Sequence, residues 1–122
     1  MLAGGYRDLV VWQKSMQAVV LVYKITALFP REEMYGLVSQ MRRAALSIPS
    51  NIAEGFRRGS EKEFRHFLRI AFGSAAELET QIDLAIRLKF TDVQTTLELV
   101  NLLDQILRML NTMTSKLPST SY

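Results

Sequence analysis

The chain has one histidine, His66, three residues after Glu63. Di-iron helical bundles use this Glu-x-x-His step once on each of two helices, so that carboxylates and imidazoles converge on the metals. A single chain with one histidine supplies half of such a set, and helical spacing turns His66 away from the apolar stripe of its own segment, toward solvent. Helical nucleotide hydrolases hold magnesium with carboxylates one turn apart. No two acidic residues here stand three apart, and Glu79 and Asp83, four apart, read as a hydrated helix face. An arginine–histidine ribonuclease pair needs its arginine a few residues ahead of the histidine, whereas Arg65 is adjacent to His66 and Arg58 lies eight before it. The chain has no cysteine, which removes thiolate nucleophiles, disulfides and thiolate zinc sites. Phosphate-loop glycine patterns and nucleophile elbows do not occur. The expectation is a protein that is not an enzyme, with no catalytic residue, no metal and no cofactor.

The sequence does concentrate positive charge. Arg42, Arg43, Arg57, Arg58, Lys62, Arg65 and Arg69 crowd one stretch with few acids among them, within a chain of net charge +3. Lys62, Arg65, His66 and Arg69 fall on one outward helical sector, where guanidinium forks suit phosphate oxygens. These residues are the candidate nucleic-acid surface. No aromatic residue interleaves the set on that sector, which argues against single-strand stacking. The competing reading is a solvated face with local ion pairs to Glu54, Glu61 and Glu63, in which Arg42 or Arg43 pairs with Glu54 to fix the second helix.

Four helical patterns position these groups. The first runs over about 8–29, with Asp8 as N-cap and a stripe of Leu9, Trp12, Met16, Val19 and Tyr23; Pro30 stops it. A second apolar set, Ala18, Leu21, Val22, Ile25 and Phe29, makes its later half apolar around most of its circumference, which predicts burial on more than one side and hence an oligomer. The second pattern covers about 33–58, with Leu37, Val38, Met41, Ala45, Ile48, Ile52 and Phe56 on one face and a kink expected at Pro49, where Ser47 and Ser50 stand ready to satisfy freed backbone groups. Gly59 and the pair Ser60 and Glu63 predict a C-cap followed by a capping box opening the third helix, about 61–88. That helix carries Phe64, Phe67, Leu68, Ala71, Ala75, Leu78, Ile82 and Ala85 inward, and small residues Gly73 to Ala76 predict a close helix approach. A short turn leads to a fourth helix over about 92–116, capped by Thr91 or Asp92, with a stripe of Val93, Leu97, Val100, Leu103, Leu107 and Leu110; residues 117–122 read as a frayed tail.

The fold class these patterns predict is all-α, one domain over 1–122, an antiparallel up-and-down four-helix bundle. Trp12, Val22, Ile25, Phe29, Asn51 and Glu54 are the expected core or subunit contacts. No segment is apolar and long enough to span a bilayer and no secretory signal is visible, so a cytoplasmic protein without a membrane partner is expected.

Tyr6-Arg7-Asp8-Leu9-Val10-Val11-Trp12-Gln13-Lys14, and the longer run from Gln40 through Arg42-Arg43-Ala44-Ala45-Leu46-Ser47-Ile48-Pro49-Ser50-Asn51-Ile52-Ala53-Glu54-Gly55, resemble a bacterial family. It is the four-helix-bundle family first noticed as open reading frames in intervening sequences of large-subunit ribosomal RNA genes, and the likeness extends through Phe64 to Leu88. The resemblance implies an up-and-down bundle, a homopentamer, no catalytic residue, and association with ribosomal RNA or another nucleic acid. A related bundle, an accessory factor to reverse transcriptase in gene-diversifying retroelements, resembles a strongly basic pentamer; this chain is less basic. The leading expectation is a non-enzymatic homo-oligomer that meets structured RNA through its arginines, with weak sequence preference and strong salt dependence. The alternative is a protein-interaction scaffold that touches no nucleic acid.

Overall fold

A computed structural model describes residues 4–118 of the chain, so the last four residues of the expected tail lie outside it. Four helices follow in order: α1, Val10–Thr26; α2, Leu37–Arg57; α3, Glu61–Arg87; and α4, Val93–Ser115. Two short 3-10 helices, Gly5–Asp8 and Arg31–Glu33, precede α1 and α2, and no strand occurs among the described residues. Sequential helices pack against one another and α1 closes against α4, leaving α1 opposite α3 and α2 opposite α4 across the diagonals. The result is the expected antiparallel four-helix bundle. No described helix is long and apolar enough to cross a membrane.

Local chemistry sets the boundaries. Asp8 does not cap α1: it ends the first 3-10 helix, and Leu9, extended and without a side-chain cap bond, stands at the N-cap. At the start of α3 the Ser60 hydroxyl accepts the Glu63 N–H at 3.1 Å, and Gly59 supplies the left-handed φ of +87° before it. Asp92, rather than Thr91, caps α4 through a 2.7 Å bond from the Thr95 N–H. α3 stops in a way the sequence hid. Lys89 adopts φ +64°, and the Phe90 and Lys89 N–H groups return to the carbonyls of Ala85 and Ile86. This is a Schellman-type close on a residue type that rarely takes it.

α2 continues through Pro49 as one helix, with the proline buried. Proline cannot donate to the Ala45 carbonyl. Nearby, the Asn51 amide donates to the Ser47 carbonyl at 2.8 Å and to the Ser47 hydroxyl at 2.9 Å. Ser47 in turn shares a 2.8 Å bond with Ser74 of α3, while Ser50 is exposed. The α2–α3 seam is tight at Gly55, where an added Cβ would lie 2.6 Å from the Phe67 Cβ. Gly73, expected at a close approach, faces open space.

The core faces of α2 and α3 match the expected stripes, but those of α1 and α4 are rotated. On α1 the buried residues are Val11, Ser15, Ala18, Val19, Val22, Ile25 and Thr26, whereas Met16 and Tyr23 are exposed. On α4 they are Thr96, Leu99, Leu102, Leu103, Ile106, Leu110 and Thr114, with Val93, Leu97 and Val100 exposed. The cause is the hydroxyl residues. Ser15 bonds the Val11 carbonyl, Thr26 that of Val22, Thr96 that of Asp92 and Thr114 that of Asn111. A hydroxyl satisfied by its own helix is buried at little cost, so counting apolar residues alone misplaces the stripe.

Candidate nucleic-acid interface

The seven basic residues separate into those engaged by the fold and those presented to solvent. Arg42 belongs to the first group. Its Nε donates to the Thr26 hydroxyl at 3.0 Å, its Nη2 approaches the Tyr23 carbonyl at 3.5 Å, and its guanidinium lies 4.4 Å from the Tyr23 ring centroid. It therefore covers the C-terminal end of α1, where the helix dipole favours a cation. Arg65 does the same for α4, its Nε donating to the Thr114 carbonyl at 3.1 Å.

Glu54 pairs with Arg58, one turn on, at 2.8 Å, so the expected partnership with Arg42 or Arg43 is not formed. The hydrogen bond that Arg58 donates to Glu54 raises the Arg58 pKa above its ordinary value, and Arg58 stays charged. A further ion pair joins Arg108 to Asp104 on the surface of α4. Arg43, Arg57, Lys62 and Arg69 are exposed, and so is His66.

The absence of aromatic interleaving, expected from the third helix alone, does not hold across elements. The 3-10 helix Gly5–Asp8 folds back beside the end of α2 and brings Tyr6 under two guanidinium groups, Arg7 at 4.8 Å and Arg57 at 5.4 Å from the ring centroid. Arg58 lies 5.0 Å over Phe67, whose other neighbour is the His66 ring at 5.3 Å. Tyr6 also contacts Trp12 at 5.4 Å, and Phe56 meets Phe64 edge-on at 5.8 Å, so the rings rest on a packed aromatic base. Arg7 was absent from the sequence candidates. Its signal was the adjacency of Tyr6 to Arg7 and of Phe56 to Arg57 and Arg58, which becomes informative only when the two segments are known to meet.

A guanidinium stacked on a ring keeps its N–H edge outward, so stacking orients the fork without occupying it. One end of the bundle thus presents arginines already oriented for phosphate. Of the expected core or subunit contacts, Val22, Ile25 and Phe29 are buried in the bundle, Trp12 and Asn51 are half-buried, and Glu54 is exposed. Glu63 and His66 are both exposed, and no group of three or more metal-ligating side chains exists among the described residues.

No curated protein matches the chain. Among solved structures, the chain is similar to a protein of unknown function from the S23 ribosomal protein family of Bacteroides thetaiotaomicron. That likeness has 25% identity and a TM-score of 0.78, over 88% of this chain and 100% of that one. The model of the 23S rRNA-intervening sequence protein family matches residues 7–112, nearly the whole of the four helices, and the chain belongs to that family.

Proposed function

We propose that this protein is a non-enzymatic, self-associating helical bundle that binds structured RNA through the basic, aromatic-backed end formed by the Gly5–Asp8 helix, the end of α2 and the start of α3. The observation that carries this reading is the pair of stacked clusters, Arg7 and Arg57 over Tyr6 and Arg58 over Phe67 beside His66. Arg57 and Arg58 supply phosphate contacts there, with Arg69 further along α3 and Arg43 along α2. Arg42 and Arg65 hold the fold instead. The family's association with an intervening sequence of 23S rRNA supports RNA as the partner. Homo-oligomerisation, with five copies by the family resemblance, is supported by the large apolar side chains that the single chain leaves exposed. The cytoplasm is the compartment that fits a cysteine-free chain.

The test is a titration of the protein against a fluorescent RNA hairpin at about 50 and about 200 mM salt, with duplex DNA alongside, since phosphate-driven binding must weaken steeply over that range. Binding that collapses with salt and is lost with Arg57→Gln and Arg58→Gln supports the reading. No binding at the lower salt rejects it and leaves the second reading, a scaffold for a protein partner, which the 96% exposure of Tyr35 favours.

A further inference from the structure

Two apolar faces lie open on opposite sides of the bundle. The α1/α2 face carries Met16, Val20 and Tyr23 at helical spacing on α1, Leu46 on α2, and Met34 and Tyr35 in the connection between them. Tyr23, Met34, Tyr35 and Leu46 line one groove there, with Arg43 at its rim. The α3/α4 face carries Val93, Leu97 and Val100 at the same spacing of four and three, and Val100 borders a second groove with Glu79 and Asp83 at its rim. Contiguous apolar exposure of this kind marks a contact surface. The rims are opposite in sign. Among the described residues, Arg43, Glu79 and Asp83 make no hydrogen bond or ion pair within the chain.

We infer that the two faces are partners for each other on successive copies of this chain: the Val93, Leu97 and Val100 stripe of one protomer seats against the Tyr23, Tyr35 and Leu46 groove of the next, with Arg43 facing Glu79 and Asp83. This rests on the self-association proposed above. A contact between two different surfaces is head-to-tail, and repeated head-to-tail contacts build rings when the rotation closes, rather than two-fold pairs.

The heights of the two faces fix the orientation. Met16, Val20 and Tyr23 lie in the middle and later part of α1, Leu46 in the first half of α2, and Val93 to Val100 at the start of α4. In an up-and-down bundle Tyr23 and Val93 to Val100 are displaced toward the end away from the Tyr6 and Phe67 clusters, while Met16, Val20 and Leu46 lie near mid-height. Copies joined through them stand side by side and point the same way. Every basic end then falls on one side of the assembly, so that a single RNA meets several of them and multivalency adds to the affinity of each.

The test uses two surface variants, Leu46→Glu and Leu97→Glu, each checked for unchanged helicity by circular dichroism, with masses from sedimentation equilibrium. Each variant alone is expected to be a monomer at concentrations where the parent associates. Their equimolar mixture is expected to give a one-to-one heterodimer, because each supplies the intact face that the other lacks. A mixture that stays monomeric, or either variant keeping the parent's mass, overturns this assignment of faces; a monomeric parent overturns the self-association on which it rests. Arg43→Glu is expected to weaken association and the added pair Glu79→Lys and Asp83→Lys to restore it. Failure to restore it overturns the charge pairing.

Discussion

Replacing Arg42 by methionine keeps most of the apolar stem and removes the guanidinium, which isolates what that group does at the end of α1. Three interactions are lost: the charged hydrogen bond to Thr26, the stacking on Tyr23, and the favourable placement of a cation at a helix C-terminus. Taken singly, a hydrogen bond to a charged group contributes about 1.5–3 kcal/mol and the stacking about 0.5–1 kcal/mol. The dipole contribution is about 0.3–1 kcal/mol. Arg42 is half-buried and the interactions share one group, so they do not add in full. The buried Thr26 hydroxyl also keeps its own bond to Val22, so no orphan donor is created. The expected destabilisation is about 2 kcal/mol, which for a chain of this length lowers the melting temperature by roughly 8 °C. The assay is urea denaturation followed by circular dichroism, with parent and variants at one protein concentration so that association contributes equally. Arg69→Met, which removes an exposed guanidinium with no bond among the described residues, should stay within about 0.5 kcal/mol of the parent. Equal stability of the two variants would refute the capping argument.

Two further substitutions test the packing and the caps. Gly55→Ala forces a Cβ to within 2.6 Å of the Phe67 Cβ and should cost about 1–3 kcal/mol by separating α2 from α3. Gly73→Ala, in open space on the surface of α3, should stabilise by about 0.5–1 kcal/mol, and the same urea series compares the two. Asp92 accepts the Thr95 N–H, and that bond holds its carboxyl below the ordinary carboxylate value. Its contribution is therefore fully present above the unfolded-chain pKa and is lost as pH falls through the lower folded value. Asp92→Asn, which keeps a capping oxygen without the titration, should show a shallower loss of thermal stability between about pH 5 and pH 2, measured by circular dichroism.

The fold was legible because α2 carries a long apolar stripe uninterrupted by buried polar residues and α3 one in which Gln81 is the single buried polar residue described, and because Ser60 and Asp92 are side-chain caps with local signatures. The rotation of α1 and α4 was hidden for the opposite reason: Ser15, Thr26, Thr96 and Thr114 are buried by bonding to their own helices, a device invisible to any count of hydrophobic positions. That rotation decides where Val20, Val93, Leu97 and Val100 point. The candidate site was half legible. Clustering of arginines can be read from spacing, but whether a guanidinium covers a helix end or stands in solvent depends on which segments meet. Arg42 and Arg43 are neighbours in sequence, yet one is held against α1 and the other makes no hydrogen bond or ion pair among the described residues.

That division changes what a nucleic acid can feel. Each lysine or arginine that meets a duplex phosphate displaces counterions and adds about 0.9 to the slope of log affinity against log salt. Seven such contacts imply a slope near 6, so that a fourfold rise in salt weakens binding by several thousandfold. With Arg42 and Arg65 covering helix ends and Lys62 already engaged by an interaction of its own, no more than four of the seven, Arg43, Arg57, Arg58 and Arg69, are left to the RNA. Arg7 adds one that the spacing did not suggest. A slope near 4.5, or a loss of roughly five-hundredfold over the same salt step, is the consequence for a hairpin too short to bridge two protomers. The individual arginines separate the cases more sharply than the total. Arg57→Met should lower the slope by about 0.9 and leave stability nearly unchanged, while Arg42→Met and Arg65→Met should destabilise the bundle and leave the slope of the folded protein unchanged. A slope that falls with Arg42→Met as much as with Arg57→Met would mean that the guanidinium over Tyr23 leaves the helix end to meet phosphate, and the separation of structural from binding arginines would fail.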